Sequence, residues 1–276
     1  MRVKECLVWA RERLAQSCER PVLEAELLLA HHMQKERVFL HMYEDKEVQN
    51  FEGFESLVLR RAAHEPYEYI VNKASFYDIE LYVEHGVLIP RPETELLIDH
   101  VSRIIEEKGI NRIVEIGVGS GAISIVLARK FPHLKIIATD ICDIPLKVAT
   151  RNIEQFGLQG QITLLKSNLM DEIKEDVQLV VSNPPYIAED FVLEPNVADY
   201  EPKEALFGGK VGDELLKQII LDVQKRGIAC LACEMGYDQK APLQAFANET
   251  GVQTIDFYQD LAGFDRGFIL LNKGEK

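Results

Sequence analysis

Hydrophobic and polar positions follow three regimes along the chain. In the first, Val3, Leu7, Val8, Ala10 and Leu14 recur at helical spacing. Pro21 stands where a second helix would begin, and Val22, Leu23, Ala25 and Leu27 to Ala30 follow it. Lys35–His41 and Phe51–Ala63 read as two further helices. Gly53 is the only glycine of this stretch, so residues 1–75 are expected to form a small helical domain. The pattern then changes. Phe76 to Val83 alternates in part and is rich in aromatic and β-branched side chains, His85-Gly86 interrupts it, and Val87, Leu88 and Ile89 follow. This predicts a β-hairpin linker over residues 76–90. Pro92 suits a first helical position, with Glu93 and Glu95 at the positive end of a helix running to about Glu107.

From Arg112 strands and helices alternate. The strands expected are Ile113–Ile116, Lys135–Thr139, Ile162–Leu165, Val177–Val181, Ile228–Glu234, Val252–Tyr258 and Gly267–Leu271. The helices are Ala122–Lys130, Ile144–Phe156, Asp213–Arg226 and Gln239–Glu249. Such alternation predicts an α/β domain over residues 91–276, with a mostly parallel sheet covered on both faces. Ligands of such sheets bind at the carboxyl ends of strands, near the switch in strand order. Residues 187–212 carry two prolines, three glycines and no clear period, and connections that long are usually functional.

Composition narrows the picture. No run approaches the roughly 18 apolar residues of a membrane helix. Charges at Arg2, Lys4, Glu5 and Arg11 to Arg13 leave no apolar core for a signal peptide. Five scattered cysteines argue against a disulfide framework and for a reducing, cytoplasmic setting. The net charge is −14; residues 1–75 hold 11 basic and 13 acidic side chains, and the remainder 20 and 32. Nucleic-acid partners call for a basic surface. The balance points instead to a small-molecule or protein substrate, with no direct nucleic acid, no membrane, and a monomer as the default.

Two features at strand ends describe a nucleoside ligand. Glu115-Ile116-Gly117-Val118-Gly119-Ser120-Gly121 ends the first strand of the α/β part. Glycines at alternate positions let the backbone turn sharply and approach a ligand, and helix-start N–H groups can hold a carboxylate. The spacing is neither the dinucleotide fingerprint nor a phosphate loop, and a plain glycine-rich turn also fits it. Asp140 ends the second strand, 19 residues after Gly121. A carboxylate there can accept from both ribose hydroxyls, or can serve as a helix cap. Together they fit S-adenosylmethionine, which brings a ribose and no phosphate.

The most specific signal is Asn183-Pro184-Pro185-Tyr186 at the end of the fourth strand. The prolines stiffen the backbone. The Pro184 carbonyl and the Asn183 amide oxygen are two acceptors, and Tyr186 offers an aromatic face. A planar –NH₂ group could donate to both acceptors while lying on the ring.

A strand ending in this glycine pattern followed by Asn-Pro-Pro-Tyr resembles the class I S-adenosylmethionine-dependent, Rossmann-like methyltransferases that act on planar nitrogens. Phe76-Tyr77, Gly86 to Glu95 with its Ile-Pro-Arg-Pro-Glu-Thr-Glu run, Tyr200-Glu201-Pro202, and Asp260 to Gly263 with Arg266 narrow the likeness. Together they are similar to the PrmC/HemK family, the peptide chain release factor glutamine methyltransferases, over essentially the whole chain. The resemblance implies a seven-stranded sheet and methylation of the side-chain amide nitrogen (N5) of the glutamine in the Gly-Gly-Gln motif of release factors. It implies that Glu115, Gly117, Val118, Gly119, Ser120, Gly121, Asp140, Asn168, Leu169 and Asn183 hold the cofactor. Asn183, Pro184, Pro185 and Tyr186 would bind the glutamine amide, with Asn183, Pro184 and Tyr186 catalytic, and the helical domain would grip the release factor. The family often has an aspartate where Asn168 stands; the Asn168 amide oxygen is still an acceptor for the adenine amino group, without charge.

Other features carry less. Cys230 and Cys233 have no second pair and, three apart on a strand, face opposite ways. His31-His32 lacks a ligand cluster, and no metal-ligand or Ser/His/Asp spacing is present. Two competing readings remain at this point: an adenine-N6 or other nucleic-acid amino methyltransferase, which uses the same planar-amine logic, and a non-catalytic cofactor-binding scaffold.

Overall fold

The computed structural model describes residues 1–272; positions 273–276 of the expected 91–276 domain lie outside the described residues. The chain divides into two compact units, one of Met1–Lys73 with Leu193–Tyr200, the other of Ala74–Val192 with the residues from Glu201 onward.

The first unit contains helices α1 (Val3–Leu14), α2 (Pro21–Met33), α3 (Arg37–Met42), α4 (Phe51–Ala62) and α5 (Tyr67–Val71). Helix α1 buries Val3, Cys6, Ala10 and Leu14, a stripe at three- and four-residue intervals. Helix α2 ends at Gln34, left-handed at φ 53°, whose N–H returns to the Ala30 and His31 carbonyls. Helix α4 begins at Asn50, whose side-chain oxygen accepts from Gly53 N at 3.3 Å. The Arg61 guanidinium grips the Glu24 carboxylate through two bonds of 3.0 and 3.2 Å, fork to fork, and so ties α4 to α2. Helix α5 has no counterpart in the sequence reading, because five residues are too few to display a helical period.

The second unit opens with a hairpin, β1 (Ala74–Phe76) and β2 (Ile79–Leu81), paired Ala74 to Leu81. It turns at Tyr77-Asp78 rather than at the expected His85-Gly86, and Val87–Ile89 is not a strand. Phe76, Ile79 and Leu81 are buried in this unit's core, so the hairpin belongs to it rather than forming a free linker. Next come α6 (Thr94–Lys108), β3 (Arg112–Ile116), α7 (Ala122–Lys130), β4 (Lys135–Asp140), α8 (Asp143–Gln155), β5 (Ile162–Lys166) and β6 (Leu179–Ser182). Helix α6 starts two residues later than Pro92 predicts. Thr94 N and Glu95 N bond three residues back, to Arg91 and Pro92 carbonyls, so the segment enters the helix through a tight turn. The connection 187–212 is less irregular than its sequence: β7 (Ile187–Ala188) pairs in parallel with β8 (Phe207–Gly209), and between them in the chain comes α9 (Pro195–Ala198), which belongs to the first unit. Helix α10 (Glu214–Lys225), β9 (Cys230–Glu234), α11 (Lys240–Glu249), β10 (Thr254–Gln259) and β11 (Asp265–Leu271) follow.

Seven strands form one sheet in the order β10-β11-β9-β6-β3-β4-β5. All neighbours are parallel except those of β11, which runs antiparallel to both β10 and β9. This is the mostly parallel seven-stranded α/β sheet that the sequence predicts. Alternation along its central strands explains the apolar runs: Ile113, Leu179, Val181, Cys230 and Ala232 face one core, and Val114, Val180, Leu231 and Cys233 the other. Cys230 and Cys233 are accordingly buried free thiols on opposite faces. Chain order reverses beside β3, whose neighbours are β4 and β6; the carboxyl ends of β3, β4, β5 and β6 surround that switch. Among the described residues, no helix is long and apolar enough to cross a membrane.

Candidate active site

A cavity of about 620 Å³ opens at these strand ends, within the range of roughly 300–1,000 Å³ usual for small-molecule sites. Glu115, Gly117, Val118, Gly119, Ser120, Asp140, Asn168, Leu169, Asn183, Pro184 and Pro185 all line it. Four chain segments far apart in sequence therefore meet where the strand-end argument puts them. Two predicted site residues, Gly121 and Tyr186, are not in the lining.

The glycine loop is built from its backbone outward. Gly117 and Val118 N–H both donate to the Thr139 carbonyl, at 2.9 and 2.8 Å, which folds the loop over the end of β4. Gly117, Gly119 and Gly121 sit at φ 76°, 54° and 86°, where side chains are disfavoured. A Cβ on Gly117 or Gly119 would meet nothing within 4 Å. The loop thus presents bare backbone to open space at the cavity wall, the kind of surface a bulky ligand can approach closely. Gly121 instead faces inward, where a Cβ would press on Ile125. Asn152 on α8, fully buried, donates to Ser120 O at 2.8 Å and Tyr82 O at 2.9 Å and so braces the loop. The sequence reading missed Asn152, since a polar residue inside a helix pattern carries no mark of burial.

Asp140 accepts from Gly119 N at 3.2 Å through one carboxylate oxygen and from Cys142 N at 3.0 Å through the other. Each oxygen keeps lone-pair capacity for a ligand hydroxyl. Burial raises its pKa, and these backbone donors pull it back. Glu115 borders the cavity, but its carboxylate is engaged by the protein itself. Its carboxylate accepts from Ser124 N at 3.0 Å and from the Ser124 hydroxyl. It is a brace across the start of α7, occupying donors that the sequence reading left for a ligand. Burial pushes its pKa up to about 8 against the pull of those bonds.

At the other end of the cavity, Ser182 Oγ donates to the Ile116 carbonyl at 2.8 Å and fixes the end of β6 against β3. Asn183 Nδ2 donates to Thr94 Oγ1 at 2.9 Å. Thr94 Oγ1 donates onward to Glu234 at 2.6 Å. The Tyr186 hydroxyl donates to the same Glu234 carboxylate at 2.9 Å. Tyr186 is therefore turned toward the core, and the aromatic face expected beside the substrate amide is not presented to the cavity; its burial and the Glu234 charge raise its pKa. Thr94 lines the cavity as well. Glu234, at the last position of a buried strand, was legible only as a strand end.

The 187–212 connection supplies a further wall, through Pro202, Glu204, Ala205, Phe207 and Gly208. Glu201 anchors it: the buried carboxylate pairs with Arg91 and accepts from Ile89 N at 3.2 Å. The Ile-Pro-Arg and Tyr-Glu-Pro segments, quoted separately from the sequence, are thus one clamp. Gly208 is required for that wall, since an added Cβ would collide with the Pro185 and Gly212 carbonyls.

The chain matches two family models, described as PrmC N-terminal domain over residues 5–71 and Methyltransferase small domain over residues 92–199. It is 39% identical over 230 residues to the release factor glutamine methyltransferase of Dictyoglomus turgidum, 82% of each chain. It is 38% identical over 256 residues to that of Clostridium botulinum, covering 88% of this chain and 89% of the relative. Among solved structures, the hMettl16 catalytic domain in complex with a 3'UTR hairpin superposes with a TM-score of 0.59 at 18% identity, over 79% of this chain and 80% of that one. The N-terminal domain of human METTL16 in complex with SAH superposes with a TM-score of 0.52 at 19% identity, over 83% and 85%. At these identities the likeness is one of fold.

Proposed function

We propose a function from the premise that the chain belongs to the release factor glutamine methyltransferase family: it is a protein-glutamine methyltransferase using S-adenosylmethionine. Its target is the side-chain amide nitrogen (N5) of the glutamine in the Gly-Gly-Gln motif of peptide chain release factors. The observation that carries this reading is the state of Asn183. Its amide nitrogen is engaged by Thr94, so its oxygen is the atom left for a ligand, in a cavity that the glycine loop also lines. A site that offers an anchored acceptor, beside a proline carbonyl with no N–H of its own, suits a substrate that brings two hydrogens on one planar nitrogen.

The lining fits the cofactor. Asp140 would accept from the ribose hydroxyls, the bare backbone of Gly117 to Ser120 would lie against the methionine portion, and Asn168 with Leu169 would border the adenine. When bound, S-adenosylmethionine supplies an electrophilic methyl group. The Asn183 oxygen and the Pro184 carbonyl would take the two amide hydrogens and turn the nitrogen lone pair to the reacting face. Positioning of this kind recovers much of a bimolecular barrier. An amide nitrogen is a poor nucleophile because its lone pair is delocalised, and it gains positive charge as its new bond forms. Two fixed acceptors stabilise that charge where it grows. No base of the chain is required; the proton leaves to water after transfer. Pro185 stiffens the turn, and Tyr186 contributes through its bond to Glu234. The first unit, matched by the PrmC N-terminal domain model, would grip the release factor.

The test is mass spectrometry of a Gly-Gly-Gln-bearing release factor after incubation with the protein and cofactor. One added methyl on that glutamine is expected, with the product reduced roughly 100- to 1000-fold in Asn183→Ala. Methyl label in DNA or RNA and none in the release factor would overturn the reading.

A further inference from the structure

We propose that Thr94 and Glu234 are positioning residues that decide which end of the Asn183 amide faces the substrate. The inference rests on the reading that the Asn183 oxygen accepts from the reacting nitrogen.

The argument is one of hydrogen count. The two ends of an asparagine amide are nearly the same size, so packing alone does not choose between them; hydrogen-bond partners do. Burial raises the Glu234 pKa, and the Thr94 and Tyr186 hydroxyls that donate to it counter this by stabilising the ionised form; the ionised carboxylate only accepts. It receives the Thr94 hydroxyl at 2.6 Å and the Tyr186 hydroxyl at 2.9 Å. A hydroxyl has one hydrogen, and Thr94 has given it to Glu234. What Thr94 still offers is a lone pair, and only the –NH₂ end of Asn183 satisfies it, at 2.9 Å. The acceptor end is thereby directed away from Thr94. The direction of donation runs Asn183 to Thr94 to Glu234 and is set at its buried end by a group with no hydrogen to give.

Reversal at that end would propagate. A glutamine at position 234 can donate its amide hydrogen to Thr94 Oγ1. The hydroxyl hydrogen of Thr94 is then free to point at Asn183, which satisfies it by rotating its oxygen inward. The substrate would then face an –NH₂ group where it needs an acceptor. Thr94→Val removes the partner altogether while keeping the shape. Thr94→Ser keeps both roles of the hydroxyl.

Steady-state kinetics on a release factor, with cofactor affinity by calorimetry, tests this. Glu234→Gln and Thr94→Val are expected to lower kcat by about 30- to 100-fold, somewhat less than removal of the acceptor itself. Thr94→Ser should stay within about threefold of the parent, and cofactor Kd should move less than about threefold in all of them, since their target is the transferring nitrogen. The double variant Thr94→Val/Asn183→Ala should be no slower than Asn183→Ala alone, because Thr94 acts through Asn183. Should Glu234→Gln fail to fold, the valine–serine pair at position 94 and the double variant carry the test. Loss in Asn183→Ala with near-parental turnover in Thr94→Val overturns this inference alone, as does a double variant slowed by the product of the two single losses. Near-parental turnover in Asn183→Ala overturns the reading of the site, and this inference with it.

Discussion

Replacing Asp140 with alanine should weaken cofactor binding by about 1.5–3 kcal/mol, the worth of a hydrogen bond to a charged group. That corresponds to roughly 10- to 150-fold in Kd. The structure sets both ends of this range. The lower end applies if the ribose loses only its acceptor. The upper end applies because the same carboxylate holds Gly119 N and Cys142 N, so alanine also releases the middle of the glycine loop. Asp140→Asn separates the contributions. An asparagine oxygen can keep one of the two backbone donors and one ligand hydroxyl, but its –NH₂ meets the other N–H as a like partner, and the charge is gone. It should fall between parent and alanine, at about tenfold weaker. The assay is calorimetric titration with S-adenosylmethionine or its demethylated product, with apo-protein thermal unfolding to verify that the fold persists. Affinity should also fall on acidification, since the ionised carboxylate is the better acceptor and burial holds its pKa above the ordinary value. Binding by Asp140→Ala within twofold of the parent would falsify the placement of the ribose.

Three further outcomes follow from particular contacts. Glu115 keeps its proton in the fold up to about pH 8 but releases it near 4.5 when unfolded, so between those values the folded state binds more protons and stability declines as pH rises. Urea unfolding at pH 5 and pH 8 should show that decline in the parent and a flatter profile in Glu115→Gln; parallel profiles would remove the assigned cause. Gly267→Ala drives a methyl group into the buried Tyr258 hydroxyl and the Cys233 carbonyl and should cost about 1–3 kcal/mol or more by denaturant midpoint, while an unchanged midpoint would mean the β10–β11–β9 packing is looser than described. Asn168→Asp should tighten cofactor binding by no more than about threefold, because the position is exposed and its charge is screened; a larger gain in the same titration would place the adenine deeper than the lining implies.

Periodicity recovered most of the fold because burial on both faces leaves strong marks. The apolar runs of β3, β6 and β9 could be read as interior strands, and the stripe of α1 as one face of a bundle. Errors fell where the mark is local chemistry instead. Helix α5 is too short for a period. Pro92 and Glu93 looked like a helix start but form the tight turn that leads into Thr94. The pair β7–β8 was invisible because a parallel two-stranded ribbon between residues some 20 apart has no turn signal of its own; what it leaves in the sequence is Gly208, a glycine demanded by the Pro185 carbonyl and not by any hairpin.

The site divides along the same line. Groups that line the cavity through backbone or strand-end position were legible, because glycine spacing, an acidic strand end and Asn-Pro-Pro are each contiguous in sequence. Groups that orient them were not, because they arrive from elsewhere: Thr94 lies 89 residues from Asn183 and 140 from Glu234. Tyr186 shows the consequence. Read within its own four-residue run it is an aromatic platform; placed in the fold, its hydroxyl is spent on Glu234 and its ring faces the core. The same sheet order explains why this had to happen at β9. Strand β6 sits between β3 and β9, so the turn after β6 has the glycine loop on one side and the end of β9 on the other. The first neighbour supplies one wall of the cavity. The second supplies a buried carboxylate, which costs desolvation unless donors satisfy it, and the donors at hand are Thr94 and Tyr186. A residue that would burden an ordinary core is thus kept where its demand for hydrogens gives the adjacent asparagine a single orientation.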